Sequence, residues 1–212
     1  MADEPRPSRA SAARLSLYLR CLEGWRRDGR ATASSRDLAA VLGVGDAQVR
    51  KDLAYLGGLG RRGVGYRVAD LAAGIRSALG IDREWRAVVV GAGNLARALL
   101  RYRGFPERGF RLVGLFDADV RKVGQRVEGL EVRPMAELGR RARAEGAELG
   151  IVAVPSEAAQ DVAEALAEAG VRGVLNFAPA VLRLPAGVAV VNVDLTIQLE
   201  QLAFQVQAGR EV

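Results

Sequence analysis

The stretch Val88-Val89-Val90-Gly91-Ala92-Gly93-Asn94-Leu95-Ala96 constrains this chain most. Three successive valines with no polar alternation form a strand only if both of its faces are covered, which is the condition of a parallel sheet. The GxGxxA that follows then opens a helix. Gly91 suits the tight turn, Gly93 lets main chain approach a pyrophosphate, and Ala96 is small enough for the helix to pack closely on the strand. The first turn of that helix, from Asn94 and Leu95 onward, offers amide N–H groups and the positive end of the dipole to an anion. Asp117 closes the next apolar run, LVGLFD, 24 residues after Gly93. A carboxylate there can accept from the adenosine ribose hydroxyls and disfavours a 2′-phosphate. The expected ligand is therefore NAD(H) rather than NADP(H), although Arg121 and Lys122 lie close by.

The remainder of this half alternates in the same way. Strands are expected at 111–116, 149–154, 173–176 and 188–193, with helices near 95–103, 135–145 and 157–169. Strands alternating with helices predict a Rossmann-type, doubly wound parallel sheet, so the fold class is α/β. The terminal segment DLTIQLEQLAFQVQ is apolar at Leu195, Leu199, Leu202, Phe204 and Val206, more than one sheet face needs.

Before residue 82 the pattern changes to helix, helix, turn, helix, hairpin, helix. Leu15, Leu19, Leu22 and Trp25 recur at helical spacing and form a core stripe. Gly29 ends that helix, and Ser34 or Ser35 can cap the next. Residues 35–56 have the layout of a helix-turn-helix: Ala39 is small, Gly43 permits a left-handed turn, and Asp46 can cap a third helix running to Leu56. Val49, Leu53 and Leu56 place one face of the third helix on the core. Lys51 then points away, with Gln48 and Tyr55 to the side and Arg50 flanking. Such side chains read bases and grip phosphates in the major groove. Five glycines between 57 and 65 bracket Arg61 and Arg62. That is the pattern of a wing, whose arginines can enter a minor groove or hold phosphates. Tyr66 and Val68 read as structural. The domains are thus 1–81, a winged-helix DNA-binding domain; 82–193, the nucleotide-binding sheet; and 194–212, a dimerisation helix.

Charge follows the same division. Residues 1–80 hold 14 Arg and Lys against 8 Asp and Glu, which accounts for the whole net charge of +6. Such asymmetry points to a polyanion as partner of the first domain. The chain has no histidine, which removes imidazole general-base chemistry, Ser-His-Asp hydrolysis and His-ligated metal sites. One cysteine, Cys21, leaves no internal disulfide and no Cys-based zinc site, and its neighbours Leu19, Leu22 and Trp25 mark it as a core thiol. No apolar run is long enough to span a bilayer, and Arg20 interrupts the N-terminal one, so neither a membrane anchor nor a signal peptide is expected. The expected location is the cytoplasm, and neither metal nor catalytic residues are expected.

The pieces AQVRKDLAYLG, RRGVGY, VVVGAGNLARAL, LVGLFDAD, NFAP and VNVDLTIQLEQL, in that order, resemble the redox-sensing transcriptional repressor Rex family over about residues 12–208. The resemblance implies a homodimer with a swapped C-terminal helix. It implies binding to a palindromic DNA operator, release by NADH, and weak competition by NAD⁺. By the same resemblance Gln48, Arg50, Lys51, Tyr55, Arg61 and Arg62 contact DNA. Gly91, Ala92, Gly93, Asn94, Leu95 and Ala96 hold the pyrophosphate and Asp117 the ribose. Val154, Pro155, Asn176 and Phe177 line the nicotinamide side, while Arg20, Tyr102 and Asp194 couple cofactor to domain arrangement. Two other readings compete. A winged-helix regulator could bind another adenine nucleotide or a CoA-type ligand on a similar sheet. An NAD-dependent dehydrogenase would need a substrate domain and a proton donor, for which roughly 130 residues without histidine leave no room.

Overall fold

A computed structural model describes residues 7–61 and 65–208. The chain forms two compact units, Met1–Arg83 and Glu84–Val212.

The first unit contains α1 (Arg9–Arg27), β1 (Thr32–Ala33), α2 (Ser35–Leu42), α3 (Asp46–Leu53), β2 (Gly60–Arg61), β3 (Gly65–Arg67) and α4 (Val68–Ala78). Its strands form a small antiparallel sheet in the order β1-β3-β2. Leu15, Tyr18, Leu19 and Leu22 of α1 are completely buried, against Leu38, Val49, Leu71 and Ile75 of the other helices. The stripe read from sequence omits Tyr18 and includes Trp25. Trp25 is only partly buried, and the Arg30 guanidinium lies 4.4 Å from its ring centroid. Ser34 caps α2 in a capping box with Asp37. Gly43 then turns the chain at φ +64°. Two local expectations need correction. Gly45, not Asp46, is the N-cap of α3, and the Asp46 carboxylate pairs with Arg50 one turn on. The helix also stops at Leu53; residues Ala54–Leu56 tighten into a 3₁₀ turn that carries Tyr55.

One feature of this unit has no apolar signature in the sequence. Asp52, 1% exposed, accepts from Arg14 Nε at 2.6 Å and Nη2 at 2.7 Å, from the Tyr18 hydroxyl at 2.9 Å and from Gln48 Nε2 at 3.0 Å. The carboxylate joins α3 to α1. Burial pushes its pKa up, but the hydrogen bonds from Arg14, Tyr18 and Gln48 outweigh burial and hold it below the usual carboxylate range. Burial, reinforced by the bond to Asp52, pushes the Tyr18 hydroxyl up to about 12.

The second unit contains β4 (Trp85–Val90), α5 (Asn94–Arg101), α6 (Gly104–Glu107), β5 (Phe110–Asp117), β6 (Arg126–Val127), β7 (Leu130–Pro134), α7 (Leu138–Ala144), β8 (Leu149–Val152), α8 (Ser156–Glu168), β9 (Gly173–Asn176), β10 (Ala189–Asn192) and α9 (Leu195–Ala208). The sheet order is β10-β9-β8-β4-β5-β7-β6, and all neighbours are parallel except β6 and β7. This is the doubly wound arrangement expected. The valines of β4 face alternate sides. Val88 and Val90 join Leu138 and Ala142 of α7 and Leu166 of α8, whereas Val89 joins Ala96 of α5. The β6–β7 hairpin was not legible, because Glu131, Arg133 and Pro134 break the apolar run of an edge strand. No helix separates β5 from β7. Asp194 starts α9: its Oδ1 accepts from Thr196 N at 2.9 Å and Ile197 N at 3.3 Å. No residue of α9 is buried, and Leu195 and Phe204 are 68% and 72% exposed. Among the described residues, no helix is long and apolar enough to cross a membrane.

The Asp52 cluster generates a stability prediction. A carboxylate whose folded pKa lies below its unfolded value of about 3.9 contributes stability at higher pH, lost as pH falls through the folded value. The first unit should therefore lose stability below about pH 4, and Asp52→Ala should cost about 3 kcal/mol at neutral pH while flattening that acid limb. Circular-dichroism melts of both proteins from pH 3 to 7 measure this; parallel pH profiles would show that Asp52 is not the titrating group.

Candidate functional site

The carboxyl ends of β4, β5, β8 and β9 converge where the sheet order reverses, between β4 and β8. In a doubly wound sheet that crevice is where ligands sit. Gly91 leaves β4 at φ +100°, its N–H donating to Phe116 O at 2.7 Å. A Cβ on it would lie 2.2 Å from Ala153 O, so glycine is required there by contact with β8 as well as by the turn. Gly93 is different. Its φ of −92° is open to any residue, and a Cβ would meet nothing within 4 Å. The open space lies over the first turn of α5, whose N-terminus has no side-chain cap and no acidic residue. Its leading N–H groups are thus unspent, as phosphate binding at a helix start demands. Asn94 and Leu95 are exposed beside them, while Ala96 is completely buried against the sheet.

Asp117 stands at the end of β5 and is 8% exposed. Its Oδ2 accepts from Ala92 N at 2.7 Å and Lys122 Nζ at 2.8 Å, and its Oδ1 from Asp119 N at 2.8 Å. Burial raises its pKa, but these donors, Lys122 first, hold it below the ordinary value. It is an ionised acceptor that also ties the glycine loop to β5. Oδ1 keeps one lone pair for a further donor.

Across the crevice, Val154 is half-buried and Pro155 is exposed at the start of α8. Phe177 is half-buried, its N–H donating to Val152 O at 2.9 Å. Asn176, at the end of β9, is held from within the protein. It is fully buried, with Nδ2 directed at Ala178 O, Ala180 O and Asn192 Oδ1 and with Oδ1 accepting from Ala178 N. Its amide pins the loop after β9 and the end of β10, and so positions Phe177. A separate cleft floored by Val88, Val113, Gly114 and Phe116 and rimmed by Arg126, Arg133 and Arg141 lies on the sheet face beside β7 and involves none of these residues.

In the first unit, Arg50, Lys51 and Arg61 are exposed, and Tyr55 is 43% exposed. Arg50 pairs with Asp46 one turn earlier. Gln48 is half-buried and held by Asp52. Arg62 lies outside the described residues. The wing glycines have reasons inside the unit: a Cβ at Gly60 would meet the Tyr66 ring at 2.8 Å, and one at Gly65 would meet Ala33 O at 2.6 Å. Arg20 is exposed on α1. Tyr102 is 56% exposed and folds over Gly104, edge-on to Phe105 at 5.1 Å. Asp194 is half-buried as the cap of α9. The sequence reading missed Arg14, Tyr18 and Asp52; the i,i+4 pair of Arg14 and Tyr18 beside an apolar stripe was the available signal.

Residues 8–54 match the family model of a putative DNA-binding protein N-terminus, and residues 82–180 that of a CoA binding domain. The chain is 52% identical over 198 residues to the redox-sensing transcriptional repressor Rex of Carboxydothermus hydrogenoformans, covering 93% of this chain and 95% of the relative. It is 47% identical over 204 residues to Rex of Streptomyces coelicolor, covering 95% of this chain and 79% of the relative. The chain belongs to the Rex family of redox-sensing transcriptional repressors. Among solved structures, the Rex-family repressor RSP in complex with β-NAD⁺ and operator DNA matches at TM-score 0.91 and 32% identity, covering 97% of this chain and 95% of that one. RSP in complex with β-NADH matches at 0.87 and 31% identity, covering 96% of each. Proteins of the Rex family are repressors, not enzymes.

The two glycines separate fold from ligand binding. Gly91→Ala should destabilise the second unit by roughly 3 kcal/mol, through positive φ and collision with Ala153. Gly93→Ala should leave the melting temperature within about 2 °C, since nothing in the protein opposes it. The same change should weaken nucleotide binding at least about tenfold by filling the space over α5. Differential scanning calorimetry with and without nucleotide reads both; a Gly93→Ala protein that binds normally would remove α5 from the ligand site.

Proposed function

We propose that this protein is a cytoplasmic redox-sensing repressor that binds a palindromic operator as a homodimer and leaves it when NADH binds, with NAD⁺ competing for the same site. The observation that carries this reading is the match of both units, over 97% of the chain, to a Rex-family repressor with NAD⁺ and operator DNA. The uncapped start of α5 takes the pyrophosphate, joined by main chain from Gly91 to Ala96. Asp117 accepts from the adenosine ribose, which favours NAD(H) over a 2′-phosphorylated coenzyme. The match to the CoA-binding model reflects the shared sheet; the carboxylate at the end of β5 supports a nicotinamide dinucleotide.

Discrimination between redox states follows from charge. Oxidised nicotinamide is a cation and the reduced ring is neutral. A ring lodged against Val154, Pro155 and Phe177 loses its water, which costs the cation more than the neutral ring. Binding of NADH then selects one arrangement of the dimer. The exposed apolar surface of α9 supports a helix exchanged between protomers, and Arg20, Tyr102 and Asp194 couple ring to domain arrangement. Gln48, Arg50, Lys51 and Tyr55 enter the major groove, with Arg61 and Arg62 in the wing. A palindrome holds its half-sites at a fixed separation, so a modest rotation removes simultaneous fit, and a coupling of about 1–3 kcal/mol per site suffices for release.

Fluorescence anisotropy of a labelled palindromic duplex at fixed salt tests the reading. NADH should release the DNA at a concentration far below that needed with NAD⁺. Binding that ignores both coenzymes, but responds to another adenine nucleotide or to CoA, would overturn the ligand assignment. Asp194→Ala should retain operator binding while raising the NADH needed for release about tenfold. Asp194→Ser, which can still cap α9, separates loss of the carboxylate from fraying; an unchanged release curve in both variants would remove Asp194 from the coupling.

A further inference from the structure

Among the described side chains expected at DNA, Gln48 alone is held by a group buried in the core. Its Nε2 donates to Asp52 Oδ1 at 3.0 Å, and Asp52, 1% exposed, is clamped in turn by both Arg14 contacts and by the Tyr18 hydroxyl. The consequence for Gln48 is chemical as well as geometric. An ionised carboxylate only accepts, so the nitrogen of the amide must face it and the oxygen cannot. The primary amide keeps one N–H and its carbonyl oxygen for another partner. One donor beside one acceptor, in a fixed order, is the pattern that pairs with the N6 amino group and N7 of adenine. A free glutamine at this position could present either order and would lose side-chain freedom on binding.

Resting on the repressor function proposed above, we propose that Asp52, held by Arg14 and Tyr18, is a positioning residue for base reading, fixing the Gln48 amide so that α3 prefers an A·T pair at one position of each half-site. Asp52 itself touches no DNA. Its effect is on which bases are chosen, through Gln48, and not on the phosphate grip of Arg50, Lys51 and the wing, which carries no sequence information.

The test measures binding of the full-length protein to a labelled operator, to a panel of duplexes with each base pair exchanged in turn, and to an unrelated duplex, all at one salt concentration. For the unaltered protein one A·T position should cost about tenfold on exchange. Gln48→Ala and Asp52→Asn should each flatten that same position, and the double variant should lose no more than either alone. If Asp52→Asn weakens every duplex equally and keeps the base preference, Asp52 is structural only and the proposal is wrong. Should Asp52→Asn fail to fold, NMR of the unaltered protein decides: the Gln48 side-chain amide must be rigid, with one proton shifted downfield, and an amide as mobile as surface glutamines overturns the proposal. If the unaltered protein does not distinguish operator from unrelated DNA, the repressor reading falls first and takes this proposal with it.

Discussion

The ligand crevice depends on main chain packed against main chain at Gly91. There the Ala153 carbonyl occupies the place where a side chain would begin. Because no Cβ intervenes, β4 and β8 remain paired to their last residues while the chain beyond each turns to opposite sides of the sheet. The start of α5 is thereby left uncapped, next to the end of β5. Gly93, by contrast, faces open space, and its carbonyl accepts from Arg97 N–H in the first turn of α5. The two glycines of one motif thus stand under different physical conditions: the fold requires the first and leaves the second free.

Each unit also places an ionised carboxylate under the element that meets a ligand. Asp117 ties the glycine loop to β5 through Ala92, and Asp52 ties α3 to α1 through Arg14 and Tyr18. In both, burial works against the charge and is outweighed by donors, so the carboxylates stay ionised. A buried acceptor of this kind does more than a leucine could: it fixes the orientation of whatever donates to it. At Asp117 that includes Lys122, which neutralises the charge and shares Oδ2 with the loop amide. In the ribose role proposed for Asp117, a hydroxyl would then use the remaining lone pair of Oδ1 or compete with the lysine.

How much of this was legible follows the strength of local signals. Val88–Val90, covered on both faces, allowed no other environment, and the GxGxxA at its end located the crevice. The capped α2 and the turn at Gly43 were equally plain. What failed did so for physical reasons. The β6–β7 hairpin sits at a sheet edge, where Glu131 and Arg133 can reach water and no apolar run is needed. The internal bonds of Asn176 had no local signal either, because a buried amide with its hydrogen bonds satisfied is at home in a core. Asp52 was hidden for the same reason. Its partners Arg14 and Tyr18 lie 38 and 34 residues away; their i,i+4 spacing on α1 marks a polar pair beside the core but does not say which residue it meets.

The helix α9 carries the inference about assembly. At about 100° per residue, Leu195, Leu199, Leu202 and Val206 fall along one side, and Ile197 and Phe204 along the opposite side. Each is about half exposed or more. A helix at the edge of a single core needs one apolar stripe, with charged residues opposite. This one has two stripes, and Glu200 is its one charged residue among those described. Such a helix is satisfied only between two apolar surfaces. Insertion into a second copy of the chain, as proposed above, would provide them and would couple any movement of the partner's surfaces to the segment that Asp194 begins. The same residues that make α9 costly to leave in water would then make the dimer the working unit of the switch.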